Sequence, residues 1–312
     1  MPVQPVTTTY RGRFAPSPTG PLHFGSLVAA LASALEARAQ IGEWHLRIED
    51  VDAPRCLGIH ADDILWTLER LGFCWDGPVV WQHERTQAYE LALQRLRERE
   101  MVFPCACSRR ELADAEIHGI AVDGAALYPG TCRHGLPTGK SARAWRLGVG
   151  STVIAFTDAV QGKIQSALAA DVGDFVLRRA DNLFAYQLAV VVDDAGAGIT
   201  HVVRGADLLH STARQIFLQQ CLGLPTPSYA HVPIAVSSAG EKLSKQTGAT
   251  PIGVERAGEE LVTALNFLGQ SAPPELARTS LVEIWQWASA HWSLAKVPQL
   301  MKLAYHPTQT GD

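Results

Sequence analysis

The sequence predicts an α/β protein with an open parallel sheet that is interrupted by a smaller mixed insertion. Segments with strand-like alternation are followed by amphipathic helices near the start of the chain and again after residue 183. Between them, over residues 105–182, short strand-like segments are separated by Gly, Pro and polar residues. A rigid turn, "RFAPSPTGPLHFGS", leads into a helix at the place where open α/β sheets bind ligands.

The first half of the predicted sheet occupies residues 1–104. A helix is predicted from Ser26 to Gln40, with Ser26 as its N-cap and Gly42 as its C-terminal stop. The segment "WHLRIED" alternates like a strand, and "VFPCAC" predicts a short strand that enters a turn. Two further helices are predicted, over "GIHADDILWTLERLG" and "RTQAYELALQRLREREM".

The remaining segments complete the predicted architecture. Residues 105–182 form the insertion, with strands at "RAWRLG", "TVIAFTDAV" and "DFVLRRAD". Residues 183–250 form the second half of the sheet, in which "AYQLAVVVDDAGAGITHVVRG" predicts a strand, a Gly-rich turn and a second strand. The helix "LLHSTARQIFLQQCLG", the strand "HVPIAV" and the loop "EKLSKQTGA" follow. Residues 251–312 predict a short helical region with "EELVTALNFLG" and "SLVEIWQWASAHW".

The composition is that of an ordinary globular protein. The chain has 312 residues, of which 47% are hydrophobic and 19% charged, and its net charge is −4. No apolar run reaches the length of about 18 residues that a membrane span needs, and the N-terminus lacks an apolar signal-peptide core. We therefore expect a cytoplasmic monomer that does not bind membranes. The mild acidity argues against indiscriminate nucleic-acid binding but allows a local basic surface.

Two loops indicate nucleotide chemistry. "HFGS" places His23 in front of a helix whose N-terminal N–H groups and dipole suit a phosphate, although such a turn is more often only a turn. "EKLSKQT" holds Lys242 and Lys245, which could meet the charge that develops on a polyphosphate during displacement. Taken alone, two such lysines more often belong to an exposed loop without a catalytic role.

In this order, the two loops resemble the HIGH and KMSKS motifs of class I aminoacyl-tRNA synthetases. "RFAPSPTGPLH", "LRIEDVD" and "VVRGADLL" resemble the glutamyl branch, so the resemblance covers about residues 10 to 250. Ser26 replaces the second His of HIGH, and Gln246 replaces the final Ser of KMSKS. The resemblance implies a Rossmann-like class I catalytic core with a zinc-containing mixed insertion and a short C-terminal helical region.

The resemblance also implies how ATP, accompanied by Mg²⁺, is bound and attacked. The substrate carboxylate attacks the α-phosphate, so no side-chain nucleophile is needed. Gly25 allows the adenosine to approach the backbone, and Lys245 would stabilise the transition state as pyrophosphate leaves. The implied catalytic residues are His23, Lys242 and Lys245, and the implied ATP-binding residues are His23, Gly25, Ser26, Ser244 and Lys245.

An acidic amino acid substrate needs cations for its carboxylates and an anion for its ammonium group. Arg13 and Arg204 have planar guanidinium groups that can bind a carboxylate through two hydrogen bonds. Glu49 could hold the ammonium group, and Tyr186 could close the pocket. Each residue alone is more often part of a surface ion pair or of the core. By resemblance, the glutamate pocket is formed by Arg13, Phe14, Ala15, Pro16, Ser17, Glu49, Tyr186 and Arg204.

Three of the six cysteines cluster in the insertion, at Cys105, Cys107 and Cys132. Three thiolates in a loop-rich segment favour one tetrahedral, structural zinc ion over the alternatives of small buried residues or reactive thiols, and disulfides are not expected. Chemistry alone favours His134 as the fourth ligand. Glutamyl-type proteins with a C-x-C…Y-x-x-x-C pattern imply Tyr128 instead, and Tyr128 is the predicted ligand.

Residues 246–312 have room for two or three helices but not for an anticodon-binding domain, and none is expected. The chain thus resembles a family of shortened glutamyl-type ligases. That family activates L-glutamate with ATP without tRNA and transfers it to queuosine, at the wobble position in the anticodon stem-loop of tRNA(Asp). The alternatives are a minimal glutamyl-tRNA synthetase that charges the acceptor end, and a non-catalytic RNA-binding relic. The relic would be expected to have lost Lys245 or the Arg13 and Glu49 pocket, which this chain keeps.

Overall fold

The computed structural model describes residues 9–113, 120–122, 124, 126–237 and 250–305. Within these ranges the strands are β1 Arg11–Phe14, β2 Glu43–Ile48, β3 Val80–Trp81, β4 Val102–Cys105, β5 Ala144–Leu147, β6 Val153–Asp158, β7 Gly162–Ala167, β8 Phe175–Arg178, β9 His201–Gly205, β10 Ser228–Val232, β11 Ile234–Val236 and β12 Lys302–Ala304. The helices are α1 Phe24–Ala39, α2 Gly58–Arg70, α3 Thr86–Glu98, α4 Arg109–Ala113, α5 Leu168–Asp171, α6 Tyr186–Gly196, α7 Leu209–Leu222, α8 Ala257–Phe267 and α9 Leu281–His291.

Parallel strands form the centre of the molecule. β1, β2 and β3 are parallel neighbours, as are β9, β10 and β6, and β7 adds an antiparallel edge to the second group. β1 lies beside β9, where the N–H of Thr200 donates to the carbonyl of Arg11 at 3.0 Å. The predicted parallel α/β architecture is confirmed.

Helices cover both faces of this parallel layer. Successive residues of a strand point to opposite faces, and Val202 and Val203 accordingly pack in two different core clusters. One cluster surrounds α1, α8 and α9, and the other surrounds α3, α6 and α7. The two helices predicted for the C-terminal region are thus present as α8 and α9 and pack against α1, and β12 pairs parallel with β11. Ser280 and Glu283 form a capping box at the start of α9.

The ends of α1 differ from the prediction. The N-cap is His23 rather than Ser26, because the imidazole Nδ1 accepts the N–H of Ser26 at 3.3 Å. At the other end Ile41, not Gly42, takes the left-handed conformation, with φ 52°. Gly42 is required for another reason, because a Cβ there would lie 2.4 Å from the carbonyl oxygen of Tyr10.

The prediction of a strand at "AYQLAVVV" is wrong, because Tyr186–Gly196 is helix α6. A short apolar run does not distinguish a buried strand from a buried helix. Here Leu188, Ala189, Val190 and Val191 are all buried, so the run packs as one broad helical face despite its β-branched residues. The helix also carries Asp193 and Asp194 into the interior, where they bind arginines.

Residues 105–182 contribute to two sheets. β5 pairs antiparallel with β4 and with β8, whereas β6 pairs parallel with β10 at Asp158 and Tyr229. The hairpin of β6 and β7 therefore extends the central parallel layer, and the division of the chain into four segments stays a prediction. Across the described ranges, no helix has both the length and the apolar character that a membrane crossing requires.

Candidate active site

A cavity of about 480 Å³ lies at the carboxyl ends of β1, β2 and β9, against the N-terminus of α1. This is where an open parallel sheet binds its ligands. The predicted site residues that line it are Arg13, Phe14, Ala15, Pro16, Ser17, His23, Gly25, Ser26, Glu49, Tyr186 and Arg204. The predicted glutamate and nucleotide residues of the described ranges thus share one cavity. Lys242, Ser244, Lys245 and Gln246 lie outside the described residues.

One wall of the cavity is the start of α1. An α-helix leaves its first N–H groups without partners inside the helix, and its dipole favours an anion there. His23 caps this end, and its Nε2 lies 3.2 Å from the hydroxyl oxygen of Ser26. His23 also pairs with Pro251, and the N–H of Ile252 donates to the carbonyl of Leu22 at 3.1 Å. The chain that follows the second predicted loop is therefore fixed beside the first.

A buried network of two cations and two carboxylates supports the side of the cavity that holds the predicted glutamate-binding residues Arg13 and Glu49. Arg47 donates to Asp194 at 2.6 Å and to Glu49 at 3.1 Å, and the Nε of Arg13 donates to Asp194 at 3.3 Å. All four side chains are at most 7% exposed. Their charges balance, as buried charges must for the network to be stable. Sequence reasoning identified Arg13 and Glu49 but missed Arg47 and Asp194.

Burial and ion pairing oppose each other in this network. Burial raises the pKa of Glu49 above its usual value, although the neighbouring Arg47 and Arg13 act in the opposite direction. Burial also acts to raise the pKa of Asp194, but Arg13 and Arg47 lower it by more, so the pKa lies below its ordinary value. Asp194 is therefore the fixed anion between the two arginines. Glu49, which has one arginine partner, can gain a second cation from a ligand.

Arg204 differs from these arginines because it has no carboxylate within ion-pair distance among the described residues. Its Nε donates to Nε2 of His231 at 3.0 Å, and its Nη2 donates to the hydroxyl of Thr212 at 2.9 Å. Its Nη1 is buried and has no hydrogen-bond partner among the described residues. A buried cation with an unused donor is costly unless an anion completes it. Arg204 is 4% exposed and lines the cavity.

Tyr186 stands at the junction of two cavities. Burial, together with the charge of Glu49, raises the pKa of Tyr186 to about 12, so the hydroxyl stays protonated and can donate to a carboxylate. A second cavity of about 600 Å³ shares five lining residues with the first, namely Ser17, Thr19, Glu49, Tyr186 and Leu208. It extends along residues 51–56 towards Gln82. The two cavities therefore adjoin each other at these shared residues.

The predicted metal residues meet in the insertion. The Sγ atoms of Cys105, Cys107 and Cys132 lie within 4.8 Å of one another, and the Tyr128 hydroxyl lies 3.6 Å from Cys105 Sγ and 3.8 Å from Cys107 Sγ. The Sγ atoms of Cys107 and Cys132 are 3.7 Å apart, close to the ~3.8 Å edge of a tetrahedron with Zn–S bonds of about 2.3 Å. The donor set therefore fits zinc. His134 is exposed and lies outside this group.

The comparisons with known proteins agree with this geometry. The model of the family described as "tRNA synthetases class I (E and Q), catalytic domain" matches residues 9–271. The chain belongs to this family. The match confirms the predicted fold class and the predicted enzyme class: the protein is an ATP-using ligase of the aminoacyl-tRNA synthetase type.

Within the family, this synthetase is similar to glutamyl-type members. It is 60% identical over 294 residues to the glutamyl-Q tRNA(Asp) synthetase of Dechloromonas aromatica, covering 94% of this chain and 97% of that protein. It is also 60% identical over 293 residues to the protein of the same name from Aromatoleum aromaticum, covering 94% and 92% of the two chains. The glutamate-tRNA synthetase of Elizabethkingia anophelis superimposes with a TM-score of 0.79 at 25% identity, over 96% of this chain and 68% of that one. The predicted resemblance to a shortened glutamyl-type family is confirmed.

Proposed function

We propose that this synthetase activates L-glutamate with ATP in the absence of tRNA, and then transfers the glutamyl group to queuosine at the wobble position of tRNA(Asp). The names of its relatives support both substrates. The observation that carries the proposal is the buried Arg204, whose Nη1 has no hydrogen-bond partner among the described residues, in a cavity that also holds Arg13, Glu49 and Tyr186. The proposed tRNA substrate also favours a cytoplasmic location, and we propose a monomer.

Glutamate fits the charges of this cavity. Arg13 and Arg204 line it together with the carboxylate of Glu49, and Nη1 of Arg204 has no hydrogen-bond partner among the described residues. Glutamate at neutral pH offers two carboxylates for the arginines and one ammonium group for Glu49. In the proposed pose, Nη1 of Arg204 binds the side-chain carboxylate and Arg13 binds the α-carboxylate. Glu49 accepts the ammonium group, and the Tyr186 hydroxyl closes the pocket.

Activation joins the α-carboxylate to ATP. A carboxylate oxygen forms a bond to the α-phosphorus, the bond from this phosphorus to the bridging oxygen breaks, and pyrophosphate leaves with the electron pair. ATP is expected to arrive with Mg²⁺, which neutralises phosphate charge. The N-terminus of α1, with Gly25 and Ser26, lines the cavity and is proposed to bind the phosphates through its N–H groups and dipole. His23, Lys242, Ser244 and Lys245 are proposed to donate to phosphate oxygens in the transition state.

Transfer follows in the neighbouring space. A hydroxyl of the queuosine cyclopentenediol attacks the acyl carbon of glutamyl-adenylate, and the ester forms as the acyl–phosphate bond breaks. AMP leaves with the electron pair of that bond, and its phosphate can take up the proton of the hydroxyl. The second cavity is proposed to admit this nucleoside, since it shares Glu49 and Tyr186 with the first. The adenylate in the first cavity and the hydroxyl in the second would then lie next to each other.

Pyrophosphate exchange tests the proposal directly. Purified protein should exchange labelled pyrophosphate into ATP when glutamate is added and tRNA is absent. Glutamine should be at least about 100-fold poorer in kcat/KM, because its neutral amide leaves Arg204 buried without an anion. Folded protein that is silent with glutamate would contradict activation. Similar rates with both amino acids would show that Arg204 does not read the side chain.

We also propose a structural zinc ion held by Cys105, Cys107, Tyr128 and Cys132. Elemental analysis of protein prepared without chelator should find one zinc per chain. Cys132→Ser should lose it, because a buried thiolate ligand is removed, and Tyr128→Phe should weaken it. His134→Ala is the matched control and should retain zinc, since that side chain is exposed. Absence of zinc, or its loss in His134→Ala and not in Tyr128→Phe, would contradict this ligand set.

A further inference from the structure

Behind Arg204 lies a buried chain of hydrogen bonds that the sequence analysis did not identify. Nδ1 of His231 is 2.6 Å from Oδ2 of Asp158, and Nε2 of His231 is 3.0 Å from Nε of Arg204. The three residues lie at successive places in the sheet, on β6, β10 and β9. His231 is fully buried, and Asp158 is 2% exposed. The chain thus leads from the insertion to the wall of the cavity.

The direction of each hydrogen bond follows from the donor inventory. A guanidinium group can only donate, so Nε2 of His231 must accept from Arg204. In a neutral imidazole the proton is then on Nδ1, which donates to Asp158. Asp158 is itself fixed, because its Oδ1 accepts the backbone N–H groups of Val160, Gln161 and His231 at 2.9 to 3.1 Å. The carboxylate of Asp158 therefore selects the tautomer that Arg204 needs.

The protonation states agree with this geometry. Burial lowers the pKa of His231 to about 4, and the positive charge of Arg204 also lowers it. The hydrogen bond to Asp158 acts in the opposite direction but is outweighed. Burial acts to raise the pKa of Asp158, but the hydrogen bonds from His231 and the backbone lower it by more, to below its usual value. At neutral pH the chain is thus a carboxylate, a neutral imidazole and a guanidinium.

We propose that Asp158 and His231 are positioning residues that hold Arg204 so that its Nη1 meets the side-chain carboxylate of the amino acid. The inference rests on the proposed function, in which Arg204 binds that carboxylate. Nε and Nη2 of Arg204 are occupied by His231 and Thr212, which leaves Nη1 for the ligand. The specificity of the synthetase then depends on a strand of the insertion as well as on the strand that carries Arg204.

Asp158→Asn tests this arrangement with little change of shape. An amide nitrogen facing Nδ1 would favour the tautomer with the proton on Nε2, which would place two donors against each other at Arg204. We expect the KM for glutamate to rise about 10-fold, the scale for one charge-assisted hydrogen bond. The kcat and the KM for ATP should change little in pyrophosphate exchange, and the preference for glutamate over glutamine should fall. A general loss of structure would not produce this split.

Asp174→Asn is the matched control, because Asp174 is another buried carboxylate that accepts a backbone N–H, that of Val149, and it does not line the cavity. It should leave the KM for glutamate unchanged. A double-mutant cycle then adds Asp158→Asn to Arg204→Ala. Binding of glutamyl-sulfamoyl adenosine, a stable adenylate mimic, is measured by calorimetry so that slow variants stay measurable. Asp158→Asn should weaken binding in the wild-type background and have no further effect once Arg204 is removed.

The possible results separate the two proposals. If Arg204→Ala binds the mimic as tightly as the wild type, the proposed role of Arg204 is wrong, and the positioning pair is overturned with it. If Arg204→Ala weakens binding but Asp158→Asn does not, only the positioning pair is overturned. The same holds if Asp158→Asn weakens binding equally in both backgrounds, because its effect then does not pass through Arg204.

Discussion

Lys245→Ala is expected to lower the rate of glutamate-dependent pyrophosphate exchange by about 100-fold or more, the scale for losing one transition-state donor. Negative charge moves onto the leaving pyrophosphate only as the bond to the α-phosphorus breaks. An ammonium group placed there attracts the pyrophosphate oxygens more strongly in the transition state than in the bound substrates. Removing it should therefore lower kcat, while the KM for glutamate stays close to that of the wild type. Lys245 lies outside the described residues, and its role rests on the resemblance of "KLSKQ" to KMSKS.

A suitable control variant removes one lysine charge at a position away from the cavity. Lys163→Ala serves, because Lys163 is exposed on β7 and does not line the cavity. Lys245→Arg keeps the charge but changes its shape, so it should recover part of the lost rate. If Lys245→Ala exchanges pyrophosphate nearly as fast as Lys163→Ala, then Lys245 has no part in the activation step.

Those predicted site residues that follow one another along the chain lie together in one cavity of the structure. Residues 13–17 comprise the last two residues of β1 and the three that follow it, and Glu49 comes directly after β2, so motif and strand end coincide. Parallel strands bring these ends to one edge of the sheet. Arg204 and Tyr186 were found through the resemblance, and they line the same cavity. Such residues can be predicted because each belongs to a short sequence motif.

The supporting residues could not be predicted in this way. Arg47 meets Asp194 across 147 positions of the chain, and Asp158 meets His231 across 73. Each is an ordinary charged or polar residue in its own segment, and only tertiary packing gives it a partner. The error at α6 has the same origin. "AYQLAVVV" has strand propensity, but the helix is stabilised by its buried face and by contacts of its two aspartates, which propensity does not record.

The substrate proposal predicts an all-or-none dependence on the tRNA modification. Labelled glutamate should be transferred to tRNA(Asp) that carries queuosine and not to the same tRNA with guanosine at the wobble position. The reason is chemical, because the proposed ester needs a hydroxyl of the cyclopentenediol, and guanosine has no such ring. The relatives that share 60% identity with this chain are named for the same tRNA. An isolated anticodon stem-loop with queuosine should therefore also accept glutamate.

The control substrate for the acceptor end is queuosine-containing tRNA(Asp) whose 3′-terminal adenosine has been removed enzymatically. It should accept glutamate as well as the intact tRNA does, because the acceptor end takes no part in the proposed transfer. Periodate cannot be used to block that end, since it would also cleave the diol of queuosine. If the trimmed tRNA accepts no glutamate while intact tRNA(Glu) does, the ester forms at the acceptor end. The two cavities that share Glu49 and Tyr186 would then serve a terminal ribose, and the protein would be a minimal glutamyl-tRNA synthetase.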